Sequence, residues 1–353
     1  MDFVIEYGLF LAQAVTVVAA ILVVAVGLVA LGLKQRPEPE GHIEIHNLNE
    51  KYKHIGETIH YAVNDNEAIK IEKKAEKKSD KKKHKAAKKA AKHPEQHDTG
   101  SDRKRLYVLA FDGDIRASAT DHLREEISAV LPQIREGDEI LLKLESPGGL
   151  VHSYGLAASQ LQRIADAKVP LTIAVDKVAA SGGYMMACVG NTIIAAPFAV
   201  IGSIGVIAQL PNFNRLLKKH DIDIELLTAG EYKRTLTMLG ENTEKGRQKF
   251  IEELEDTHTL FKEFVATNRP DLDVAKVSTG EVWYGRRALE VGLVDTLQTS
   301  DAFVQERLKE QDVFAVKFVH KKSWQEKVGL AAEGAMEKTL LKIWQRLQHP
   351  KNY

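Results

Sequence analysis

The chain has almost no cysteine and no net charge. Cys188 is the single cysteine in 353 residues, so no internal disulfide can form and no cysteine-rich metal spacing exists. Its apolar surroundings mark it as a small core residue. A lack of disulfides fits a reducing compartment without requiring one. Lys+Arg and Asp+Glu both total 49, so net charge points to no class of partner. Charge is missing altogether from Leu9 to Leu33, "LFLAQAVTVVAAILVVAVGLVALGL". About 20 apolar residues span a bilayer, so this run is long enough with some tilt. A cleaved signal peptide would begin basic and carry a shorter apolar core. Asp2 and Glu6 stand there instead, and an uncleaved membrane anchor over residues 1–36 is expected.

What charge there is lies in blocks. Lys34 and Arg36 follow the apolar run, while only the terminal amine precedes it. The positive-inside rule then puts the body of the chain on the cytoplasmic side. Residues 37–104 read as a polar, lysine-rich linker. Its histidines (His42, His46, His54, His60) match no metal-site spacing, and neither metal nor cofactor is expected. Lys70 to Lys92 holds 12 lysines against Glu72, Glu76 and Asp80. Such a run is solvated rather than packed. It serves as a charged spacer or lies on anionic lipid, worth roughly 1 kcal/mol per lysine near the surface. It lacks aromatics, which argues against base stacking and specific nucleic-acid binding. Residues 321–353 can be drawn as an amphipathic helix.

Between residues 105 and 320 the texture is α/β. Apolar strand-like runs ("RLYVLAFD", "DEILLKLE", "VPLTIAVD") alternate with helical periodicity over Thr120–Leu131, with Thr120 as N-cap, and over Tyr154–Ala165. This alternation predicts crossover units and a largely parallel sheet. "NFNRLLKKH" reads as a helix, "DIELLTAG" as a strand, and Thr243–Asn268 as a long helix with Phe250, Leu254, Leu260, Phe261 and Phe264 inside. Tyr184–Leu210 carries no charge, but Gly190, Asn191, Pro197, Gly202 and Gly205 interrupt it. A helix followed by short strands is expected there rather than a second span.

Three glycine-bearing stretches fall at strand ends: "SPGGLV" (146–151), "ASGGY" (180–184) and "GSIGVI" (202–207). Sites in parallel sheets form at the carboxyl ends of strands, and glycine lets a backbone amide approach a substrate. The amides of Gly149 (or Gly148) and Gly182 are candidate oxyanion donors beside the candidate nucleophile Ser181. No His, Cys or acidic residue adjoins Ser181, so its base must come from elsewhere. His152, near the SPGG turn, is one candidate. Lys233 in "GEYKRT" is the other, since a desolvated lysine can act as a base.

The order "SPGGLV", "AASGGYMMA", "GSIGVI", "GEYKRT" resembles the signal peptide peptidase A family of membrane-bound serine peptidases, in its SohB-type inner-membrane form. The resemblance implies a Clp-protease/crotonase-like fold behind a transmembrane helix. It implies a Ser–Lys dyad of Ser181 and Lys233, with Ser203 orienting the lysine and Gly149 and Gly182 holding the oxyanion. It also implies a homo-oligomeric ring, hydrophobic or signal-peptide-like substrates, and dyads that in some members form across a subunit boundary. The family's best-known enzymes keep their catalytic body outside the cytoplasm, opposite to the charge flanks here. Two other classes stay open on the residues: a crotonase-type acyl-CoA enzyme using the glycine amides alone, and a non-catalytic membrane scaffold.

Overall fold

The alternation of buried strands and amphipathic helices organises the chain into an α/β fold with a mixed sheet. The structure, a computed structural model, describes residues 41–64 and 103–320, together with Gly8, Gln13, Thr16 and Val17. Apart from those four positions, the expected anchor lies outside the described residues, as do the lysine-rich run and the C-terminal tail. Among the described residues no helix is long and apolar enough to cross a membrane. Ile43–Phe318 belong to one unit, which holds everything that follows.

The first described elements are β1 (Gly41–Asn47), which enters the unit at Ile43, and α1 (Leu48–Val63), whose first turn is capped by Asn47 accepting from the Glu50 N–H. These residues were expected to be solvated linker. The weak alternation in "HIEIHNLNEKY" instead forms an edge strand beside the last strand of the sheet. Leu48 and Tyr52 then pack on the core. The alternating units follow as β2 (Arg105–Asp112), α2 (Thr120–Val130), β3 (Glu139–Glu145), α3 (Val151–Asp166) and β4 (Leu171–Val175). The chain continues through β5 (Val178–Ala180), α4 (Gly182–Ala187), β6 (Thr192–Ala195) and β7 (Val200–Gly202). Beyond these lie α5 (Asn214–Lys219), α6 (Glu244–Asn268), α7 (Val274–Val277), β8 (Val282–Tyr284) and α8 (Gly285–Glu290). The last elements are β9 (Thr296–Leu297), α9 (Ser300–Arg307) and β10 (Asp312–His320).

Seven strands form the main sheet in the order β1-β10-β2-β3-β4-β6-β9. Every pairing from β10 to β9 is parallel, as the crossover units require. All five residues of β4 are buried, the mark of a strand covered on both faces. One face packs α2, α3 and α4 over Leu109, Phe111, Leu142 and Ile173. The other packs Phe303 and Val304 of α9 over Leu106, Val108 and Leu141. A second sheet of β5, β7 and β8 is parallel between β5 and β7 and antiparallel between β7 and β8.

The region from Tyr184 to Leu210 is helix then strand, and its first part is core rather than membrane span: Tyr184 to Gly190 are all buried. Cys188 is fully buried, and desolvation pushes its thiol up to about 12. Three local expectations are corrected. Thr120 is not the cap of α2; Ala119 holds that position, and the buried Thr120 hydroxyl donates to the Ala117 carbonyl. "DIELLTAG" is no strand, because no neighbouring strand among the described residues takes up its backbone groups. Leu260 points outward from α6, where Phe261 and Val265 are the buried residues.

Candidate active site

Two strand ends are stitched together where the glycine motifs meet. At the end of β3, the Ser146 N–H donates to the Val178 carbonyl (2.8 Å), and the Ala180 N–H donates back to the Ser146 carbonyl (3.0 Å). Next along the second sheet, Ala180 of β5 is in register with Gly202 of β7. The SPGG, ASGG and GSIG turns therefore converge at the carboxyl ends of adjoining strands, where parallel architectures place their sites.

Ser181 occupies the sharp turn from β5 into α4. Its backbone stands at φ 54°, ψ −119°, a region that costs a non-glycine residue of order 1–3 kcal/mol and persists only when the surroundings enforce it. The enforcement is visible. The Ser181 N–H donates to the Gly202 carbonyl (2.7 Å), and its carbonyl accepts from Met185 (3.0 Å). The side chain is half-buried, and its hydroxyl has no hydrogen-bond partner among the described residues.

Glycine is required on both sides of this turn. A Cβ on Gly182 would stand 2.3 Å from the Tyr154 ring. Gly148 has φ +90°, and a Cβ there would meet the Ala180 carbonyl and the Ser181 Cβ at 2.7 Å. The SPGG turn is thus folded directly against the nucleophile candidate. Of its two amides, that of Gly148 donates to the buried Ser146 hydroxyl (3.1 Å). The amides of Gly149 and Gly182 have no acceptor among the described residues, so Gly149 is the one free to receive an oxyanion.

The Ser146–Tyr154 pair was not singled out from the sequence. The Ser146 and Tyr154 hydroxyls lie 2.5 Å apart, and the Tyr154 hydroxyl donates to the Asp114 carbonyl (2.7 Å). Burial raises the Tyr154 phenol above its ordinary range, which keeps it a donor. The signal for this pair was a serine just before the Pro-Gly-Gly turn and a tyrosine eight residues on, but only the fold shows them touching.

A cleft of about 340 Å³ opens beside Ser181. Gly149, Ser181, Gly182 and Gly205 line one part, and the rest of the lining includes Val151, Gly155, Ser159, Met185, Phe261 and Phe264. It is apolar with convergent amides at one end, the usual make-up of a ligand pocket. Among the described residues no group of three or more His, Cys, Asp or Glu comes together as a metal site.

The base candidates fare differently. His152 is exposed at the start of α3, does not line the cleft and makes no hydrogen bond to Ser181. Ser203 follows Gly202 with φ 52° and is held by its N–H to the Glu281 carbonyl (2.6 Å). Lys233 is exposed, lies in a turn closed by its N–H to the Gly230 carbonyl (3.2 Å), and is absent from the cleft lining. It belongs to a segment, Ile207 to Leu239, in which no residue is buried. Eleven large apolar side chains stand exposed along it, with Ile207 at 89% and Leu227 at 90%.

Two family descriptions match the chain, Peptidase family S49 N-terminal over residues 2–161 and Peptidase family S49 over residues 163–313. The chain belongs to peptidase family S49. It is 52% identical over 334 residues, 94% of each chain, to "Probable protease SohB" of Haemophilus influenzae. It is 47% identical over 307 residues, 87% of this chain and all of the relative, to "Probable protease SohB" of Buchnera aphidicola subsp. Schlechtendalia chinensis. A solved structure of a mutant 1510-N membrane-bound stomatin-specific protease in complex with a substrate peptide aligns at a TM-score of 0.38 and 16% identity. That alignment covers 65% of this chain and 97% of the other. As an S49 peptidase of the SohB type the chain is a serine peptidase, and S49 is a Ser–Lys dyad family. The acyl-CoA and scaffold classes fall away with that membership.

Proposed function

We propose that this peptidase is a membrane-anchored endopeptidase in which Ser181 of one copy works with Lys233 of a neighbouring copy in a homo-oligomeric ring. The Ser181 hydroxyl attacks the carbonyl carbon of a peptide bond, and its proton passes to the neutral Lys233 amine. The amides of Gly149 and Gly182 hold the resulting oxyanion; one such donor is typically worth about 10²–10³ in rate. Collapse expels the amine, which takes the proton back from Lys233, and water then hydrolyses the acyl-enzyme. Ser203, next to the Gly202 carbonyl that fixes Ser181, orients the lysine. The observation that carries this reading is the asymmetry of the protomer. Ser181 and two free amides stand on a formed cleft, while Lys233 rides on a segment that buries nothing. Exposed apolar side chains in this number are what a protein–protein contact would bury, and closing such a contact around Lys233 would supply the desolvation that neutralises an ammonium group.

Substrates are hydrophobic or signal-peptide-like segments, a reading supported by the apolar cleft. The uncharged run Leu9–Leu33 anchors the chain in the bacterial inner membrane, with the catalytic unit on the cytoplasmic side where Lys34 and Arg36 stand. The test uses the full chain in membranes with a fluorophosphonate probe and a hydrophobic peptide. Wild type is expected to label at Ser181 and cleave the peptide. Ser181→Ala and Lys233→Ala are each expected to lose both. Full activity in either variant would refute the dyad.

A further inference from the structure

The glycines of the SPGG and ASGG turns are there because nothing larger fits, but Gly155 on α3 is different. At Gly149 a Cβ would lie 2.1 Å from the Ile115 carbonyl, and at Gly183 2.5 Å from the Ser146 carbonyl. At Gly155 it would meet nothing within 4 Å, and the backbone there is not left-handed. Glycine inside a helix is a poorer choice than alanine, because it gives up more backbone freedom on folding. Neither packing nor conformation therefore accounts for Gly155.

Its position does. Val151, Gly155 and Ser159 follow one another at four-residue spacing, so they share one face of α3, and all three line the cleft beside Ser181. Ser159 turns its hydroxyl back onto the Gly155 carbonyl (2.8 Å), so its polar group is satisfied on the helix. This wall is built from small side chains, while Phe261 and Phe264 line the cleft from α6. We infer that Gly155 is a specificity-determining residue. By omitting a side chain it keeps the cleft wide enough for a bulky aliphatic or aromatic side chain of the substrate residue on the acyl side of the cut. The inference rests on the peptidase reading of Ser181 above.

The test compares full-length wild type, Gly155→Ala and Gly155→Leu on matched peptides bearing Ala, Leu or Phe at that residue. Cleavage is read as kcat/KM with Ser181→Ala as the blank, and thermal midpoints are measured alongside. Gly155→Ala is expected to raise the midpoint by about 2–4 °C and to lower the Leu/Ala and Phe/Ala ratios of kcat/KM about tenfold, the discrimination one methylene-sized change in an apolar pocket gives. Gly155→Leu is expected to make the Ala peptide the better substrate. Unchanged ratios in both variants, with cleavage still dependent on Ser181, would overturn the inference and leave the peptidase reading standing. A lower midpoint for Gly155→Ala would also overturn it, by giving the glycine a structural reason. Absence of Ser181-dependent cleavage by wild type would overturn the proposed function and the inference together.

Discussion

The nucleophile region and the lysine region of this chain are built in opposite ways. Around Ser181, Gly148, Gly182, Ser146 and Tyr154 are buried, and each backbone step is fixed by a neighbour's carbonyl, hydroxyl or ring. Around Lys233, thirty-odd residues in a row bury nothing. The base of that segment is pinned by Asn212, which donates to the Thr237 carbonyl (2.9 Å), and by Asn214, which donates to the Leu239 carbonyl (3.0 Å). Its turn is tied to α6 by the Glu231–Lys245 ion pair. Ion pairs this exposed contribute little, and the segment's apolar side chains stay exposed in the single chain. The comparison teaches that one copy of the chain builds a strained Ser181 turn by itself, while Lys233 stands on exposed backbone away from it; the proposed assembly is what would bring the two together.

The largest expected effect breaks the nucleophile region. Gly182→Ala drives a methyl into the Tyr154 ring and should abolish fluorophosphonate labelling, with a loss of stability of about 3 kcal/mol or more seen in denaturant melts. Breaking the lysine region should look different. Leu227→Asp changes an exposed side chain, so the unit's own stability should stay within about 0.5 kcal/mol. Light scattering should nonetheless show smaller assemblies, and peptidase activity should fall at least tenfold. If Leu227→Asp unfolded the unit instead, the contrast between the two regions would be lost.

Much of the nucleophile region was legible because its constraints are local. Glycine pairs after apolar runs mark sharp turns, and the strand–helix alternation places those turns at the carboxyl ends of parallel strands. What escaped depends on contacts distant in sequence. Nothing local tells that "DIELLTAG" finds no strand partner or that "HIEIHN" finds β10. Tyr154 reads as an ordinary helix residue until its ring is seen under Gly182. Helical periodicity cannot tell a core from an open cleft, and Leu260, expected inside, faces outward on α6.

Two smaller effects sharpen the contrast. Tyr154→Phe removes the hydroxyl that joins Ser146 to the Asp114 carbonyl, a loss of about 1–3 kcal/mol for a buried partner left unsatisfied. Because it acts by holding the SPGG turn, kcat should fall about tenfold with little change in KM. Glu126 lies outside both regions. Burial pushes its carboxyl up to about 7, against a hydrogen bond from the Phe318 N–H. The folded state therefore favours the protonated form, and stability should fall as pH rises from the ordinary carboxylate range through about 7. Glu126→Gln should raise the thermal midpoint by about 2–4 °C at pH 8 and leave it unchanged at pH 4, with peptidase activity unaffected.

The most direct test of assembly-supplied chemistry is complementation between two dead variants. Ser181→Ala and Lys233→Ala chains are each inactive on the proposed mechanism, but a mixed ring places an intact Ser181 beside an intact Lys233. Co-expressing the two in one membrane should restore a substantial fraction of wild-type peptide cleavage and of Ser181 labelling, on the Lys233→Ala chains alone. Mixed assemblies that form, as shown by co-purification of differently tagged chains, yet cleave nothing would contradict a dyad shared between protomers.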